Sequence, residues 1–80
     1  MSTEGDAAIV DRMCAAAGVQ RTDVDVTAVL DLTRHIAHNA DRPLAPIGAF
    51  IAGLAVGGRG ADLSAVIAEL SAVVEDGQHT

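Results

Sequence analysis

The stretch HIAHNADRPLAPIGAFIAGLAVGG, residues His35–Gly58, carries no charged side chain between Arg42 and Arg59. A segment from Pro43 to Gly58 with that composition is stable only away from water, so it reads as the core helix of a small all-α domain. On a helical wheel its residues sort by size. Ile47, Phe50, Ile51 and Leu54 take one side, and Gly48, Ala49, Ala52, Gly53 and Ala55 take the other. The large side is expected to fill the chain's own core. The small side is expected to let a second helix approach, from the same chain or from another copy, with Ala49 and Gly53 as interface positions. Glycine inside a helix costs about 0.5–1 kcal/mol relative to alanine, so Gly48, Gly53 and Gly57 require a packing reason.

Immediately before this segment, a second helix is expected to start at Asp25 or Thr27 and to run to about Asn39. Its buried stripe would be Val26, Val29, Leu30, Thr33, Ile36, Ala37 and Ala40. Asp31, Arg34, His35 and His38 gather on the opposite side at spacings of three and four. Arg42-Pro43-Leu44-Ala45-Pro46 then makes a stiff corner, because a residue before proline is pushed out of the α region. Pro46 fits the first position of the third helix, where a missing amide hydrogen is not needed. Toward the N-terminus, Ser2 or Thr3 is placed to cap a first helix that stops at Gly18, with Ile9, Val10, Met13 and Ala17 on its apolar face. Downstream, Gly57-Gly58-Arg59-Gly60 reads as a turn and Asp62 as the cap of a last helix. The stripe of that helix is Leu63, Val66, Ile67, Leu70, Val73 and Val74, and Gln78–Thr80 is expected to be loose. The expected architecture is one helical domain over residues 1–80. It is a compact four-helix domain with a central apolar third helix, its helices at about 4–17, 26–39, 46–57 and 62–76.

Composition narrows the function classes. A chain of 80 residues buries only about 60% of the surface its unfolded form exposes, so a partner that covers more surface adds needed stability. Half the residues are apolar, yet Phe50 is the only aromatic one, so the core must come from Ala, Val, Ile and Leu. The net charge is −6, and the five basic residues are arginines scattered along the chain. That distribution argues against nucleic acid, which needs clustered positive charge. The sixteen residues from Pro43 to Gly58 span roughly 24 Å as a helix, short of a hydrocarbon layer of about 30 Å, so no membrane partner is expected. The acidic N-terminus lacks the basic-then-apolar order of a signal peptide, and Cys14 is the only cysteine, which points to a cytoplasmic protein.

The candidate contact residues are His35, His38 and Arg42, with Pro43 and Pro46 shaping the corner. His35 and His38 are three apart, but no further ligand completes a zinc signature, so no metal and no cofactor are expected. No catalytic constellation is present, and Cys14 reads as a small core filler. One alternative to an interaction role is a small anion or nucleotide site built from His38, Arg42 and the N-terminal end of the third helix. Another is a purely structural homodimeric domain.

Val29-Leu30-Asp31-Leu32-Thr33-Arg34-His35-Ile36-Ala37-His38, then Arg42-Pro43-Leu44-Ala45-Pro46, then Phe50-Ile51-Ala52-Gly53-Leu54-Ala55 resemble a small actinobacterial domain of unknown function. That domain occurs alone or at the C-terminus of molybdenum cofactor guanylyltransferases, the enzymes that join GMP to molybdopterin. The resemblance runs from about Ile9 to Val74 and is most specific over His38–Pro46. Family members commonly carry threonines after the second proline, where this chain has Ile47-Gly48-Ala49. The resemblance implies an accessory module in molybdenum cofactor biosynthesis, homodimeric or docked on a guanylyltransferase, and no activity of its own.

Overall fold

Short side chains set the helix boundaries. The computed structural model describes residues 3–77 and contains four α-helices, α1 (Thr3–Ala17), α2 (Val26–Asn39), α3 (Leu44–Arg59) and α4 (Leu63–Gly77), with a 3-10 turn at Arg21–Asp23. No strand occurs among the described residues. The Asp25 side chain accepts the Ala28 amide at 3.0 Å and starts α2, and Asp62 does the same for the Ala65 amide at 3.1 Å at the start of α4. Each satisfies an amide that the helix itself leaves without a partner. Gly18, at φ 72°, turns the chain out of α1, and Gly60, at φ 68°, ends α3. Both angles lie in the left-handed region that glycine enters without steric cost. The cap expected at Ser2 and the loose end expected at Gln78–Thr80 lie outside the described residues.

The third helix is longer than expected at both ends. It begins at Leu44 instead of Pro46, because proline is accepted anywhere in a first turn whose amides have no helical acceptor. Ala45 is accordingly helical and buried although it precedes a proline. At the other end Gly57, Gly58 and Arg59 continue the helix instead of forming the turn, and the reversal waits for Gly60.

The core is built by α2, α3 and α4. Leu32, Ile36, Ala45, Ala52 and Val66 form its buried centre, with Ala37, Ala55, Ile67, Leu70 and Val74 packed around them. This reverses the expected orientation of α3. Its small residues face inward, with Ala45 and Ala52 buried and Gly48, Ala49 and Ala55 half-buried, while Leu44, Ile47, Phe50, Ile51 and Leu54 are exposed. The reason is close packing: Gly48 lies so near Ile36 that a β-carbon there would overlap the Ile36 Cδ1 atom. Large side chains on that face would hold α2 and α3 apart.

α2 is also rotated from the expected stripe. Leu32 is 1% exposed at the centre of the core, whereas Leu30 is exposed at 52% and Ala40 is exposed as well. The first helix stands apart. No Cα atom of α1 comes within 8 Å of α2, α3 or α4, and its contacts are with the 3-10 turn. Cys14 is buried and its thiol is free, but it lies outside the α2–α4 core it was expected to fill, and Ile9 and Met13 are exposed.

Candidate functional site

Four of the sequence-predicted polar residues do come together. Asp31, Arg34, His35 and His38 line a shallow depression of about 310 Å³ on the flank of α2. The 3.6-residue period of the helix, begun at Asp25, puts these positions on adjoining turns. Within the depression the Arg34 Nη1 donates to the Asp31 Oδ1 at 3.0 Å, with both side chains largely exposed. An exposed pair of this kind holds a local geometry and adds little stability.

His35 occupies a different setting from the one its spacing suggests. Rotation of α2 toward Leu32 brings His35 to the seam with α4, where its Nε2 lies 3.7 Å from the Glu75 Oε1. Asn39, one turn on, donates its Nδ2 to the His35 carbonyl oxygen at 2.9 Å and sits 3.2 Å from the ring Nδ1. The Asn39 amide thus lies against the imidazole, with the Glu75 carboxylate near it but beyond hydrogen-bond distance. His38 points from the same flank and is exposed. Glu75 and Asn39 escaped the sequence reading. Asn39 had a usable signal, since it continues the Leu32–Ile36 row at spacings of four and three. Glu75 had none, because only the packing of α4 against α2 brings it near.

Arg42 is not part of this depression. It lies exposed in the turn between α2 and α3 and has no ion pair among the described residues. The start of α3 also offers no anion-binding amides. Pro43 and Pro46 have no N–H, the Leu44 amide donates to the Asp41 carbonyl at 2.9 Å, and the Ala45 amide donates to the Arg42 carbonyl at 3.0 Å. A helix N-terminus binds anions through unused amides, and here the turn has used them. The carboxylates of Asp31 and Glu75 further offset the single guanidinium of Arg34 beside the histidines. Among the described residues no three His, Cys, Asp or Glu side chains are grouped to hold a metal ion.

The apolar surface is more distinctive than the polar one. Leu44, Ile47, Phe50, Ile51 and Leu54 form a ridge along α3, with Phe50 68% exposed. Beside it a groove of about 180 Å³ runs between α3 and α4, lined by Leu44, Ile47, Ile51, Leu70, Val73 and Val74 over Ile36. Of the two interface positions predicted, Ala49 is half-buried against its own chain, while Gly53 is on the outer side with no other side chain within 4 Å of where its β-carbon would be. Among the described residues no helix is long and apolar enough to cross a membrane. Neither a curated protein nor a solved structure matches the chain. A model of the family described as "Domain of unknown function (DUF6457)" does match, over residues 4–80, and the chain belongs to that family.

Proposed function

We propose that this domain is a non-enzymatic docking module whose contact surface is the outer side of α3. The single observation that carries the reading is the ridge Leu44, Ile47, Phe50, Ile51 and Leu54, exposed on a helix without a charge between Arg42 and Arg59. A contiguous apolar surface of this kind is uncommon on a protein that works alone and marks a contact site. Phe50 is its natural anchor, since an aromatic side chain brings a large rigid area to the centre of an interface. Against the polar depression on α2 stand the partners that Arg34 and His35 already have in Asp31 and Asn39.

The partners proposed are a second copy of the chain and a molybdenum cofactor guanylyltransferase, the latter resting on the resemblance around His38–Pro46. Sedimentation at micromolar concentration and calorimetric titration against such an enzyme test both, with wild type beside Phe50→Asp. Self-association or binding by the wild type, lost in Phe50→Asp with an unchanged unfolding midpoint, is the expected result. A wild type that stays monomeric and gives no heat sinks the proposal.

A further inference from the structure

Among the described residues two apolar surfaces lack a cover, and they match each other. One is the face of α1 that carries Ile9 and Met13, exposed at 52% and 58%. The other is the groove between α3 and α4. α1 stands off that groove, and a few polar contacts set the local geometry of its hinge. The Arg21 Nε pairs with the Asp11 Oδ1 of α1 at 3.0 Å, and the same guanidinium donates through Nη1 to the Val24 carbonyl at 3.0 Å, just before α2. The Val19 amide closes the end of α1 on the Cys14 carbonyl at 2.9 Å. One side chain thus ties α1 to the segment that leads into the bundle, with no Cα of α1 within 8 Å of α2, α3 or α4.

We infer that α1 is an exchange arm: in a dimer the α1 of each copy lies in the α3–α4 groove of the other. This deepens the docking reading and rests on it in taking the apolar surface of α3 as an interface. Length agrees, since the 15 residues of α1 and the 16 of α3 give helices of roughly 22 and 24 Å. Charge agrees as well. Asp6 falls on the same stripe as Ile9 and Met13 at spacings of three and four, and Arg42 and Arg59 stand at the two ends of α3 with no ion pair among the described residues. Arg12, also unpaired among them, flanks that stripe, while Glu69 and Asp76 flank Val73 on α4. Reciprocity follows from area. One helix in a groove covers a footprint of roughly 220 Å² on each side, too little for a specific interface of about 1,200 Å² in total. Two such contacts in a two-fold dimer, joined by the adjacent α3 ridges, approach that size.

The test is a methyl NMR experiment on an equilibrated mixture of labelled and unlabelled full-length chains, with sedimentation of single variants. Expected are nuclear Overhauser effects between copies, from Ile9 and Met13 to Ile47 and Ile51. Met13→Glu and Ile47→Glu, both at exposed positions, should each raise the dimer dissociation constant at least tenfold while retaining helical content. The same effects found within a monomer show α1 folding back and overturn the inference. A dimer that survives Met13→Glu but is dissolved by Phe50→Asp also overturns it, and leaves the docking reading standing on the α3 ridge. Exchange contacts that persist in Phe50→Asp support the arm and remove Phe50 as the anchor. A monomeric wild type with no contact between α1 and the groove overturns the arm outright.

Discussion

Adding one methyl group at Gly48 and the same group at Gly53 separates packing from backbone propensity on a single helix. Both positions lie inside α3, so either change to alanine gains roughly 0.5–1 kcal/mol from reduced backbone freedom in the unfolded chain. At Gly53 nothing lies within 4 Å of the new β-carbon, so that gain should appear undiminished. At Gly48 the β-carbon overlaps the Ile36 Cδ1, so the tip of that buried side chain must shift, and the groove above it is the space open to it. Overpacking of a filled core costs about 1–3 kcal/mol. Gly48→Ala should therefore lie about 1 kcal/mol below Gly53→Ala, the low end of that range because the Ile36 tip can turn toward the groove, and the propensity contribution cancels from the difference. With roughly 4–8 °C per kcal/mol for a domain of this size, a gap of about 1 kcal/mol moves the midpoints about 4–8 °C apart. Urea unfolding followed by circular dichroism at one fixed protein concentration measures it, with the slope required to stay constant. Equal stability of the two variants would refute overpacking at the Gly48–Ile36 contact.

Other substitutions test neighbouring parts of the account. Leu32→Ala removes the most deeply buried side chain, at 1% exposure. It should cost about 2–5 kcal/mol in a urea titration, most of the stability available to so small a domain, whereas Leu30→Ala, two residues away and 52% exposed, should cost under about 1 kcal/mol. Asp62→Ala leaves the Ala65 amide without its side-chain acceptor and should lower stability by about 1 kcal/mol, with Asp62→Asn retaining most of it. Arg34→Ala breaks an ion pair exposed to solvent on both sides and should change stability by no more than about 0.5 kcal/mol. A larger loss there would mean that the polar flank of α2 carries structural weight. Arg42→Ala should leave phosphate and GMP binding, read by calorimetry, at the wild-type level. A clear loss of heat would restore the anion-site alternative that the filled amides of α3 oppose.

The features legible in the sequence are those whose causes are local. Asp25, Asp62 and Gly18 act within a turn or two of themselves, so capping and helix reversal follow from residue type alone. The same locality explains why Asp31, Arg34, His35 and His38 share a flank. What residue type could not settle is rotation. In α2 the expected and observed stripes share Val29, Thr33, Ile36 and Ala37 and differ by a partial rotation that trades Leu30 for Leu32, and only the fit of α3 and α4 chooses between them. That choice also carries His35 to the seam with Glu75.

α3 presents the same difficulty in sharper form, since both of its sides are apolar and hydropathy cannot rank them. Size ranks them, in a direction that follows from the shape of the neighbours. Burying the large side would fill the centre of the bundle with Phe50, Ile47 and Leu54 but force α2 and α4 outward, and the glycines and alanines would then face solvent at a conformational cost with no contact in return. Burying the small side lets Ile36 from α2 and Val66 from α4 supply the volume instead. Five large apolar residues are then left outside, and hydrophobic free energy scales with area that water still covers. The arrangement that best packs one chain is therefore the one that leaves it with the strongest reason to find another surface. The inward Gly48 and the outward Phe50 ridge thus share one cause, the close approach of α2 to the small side of α3.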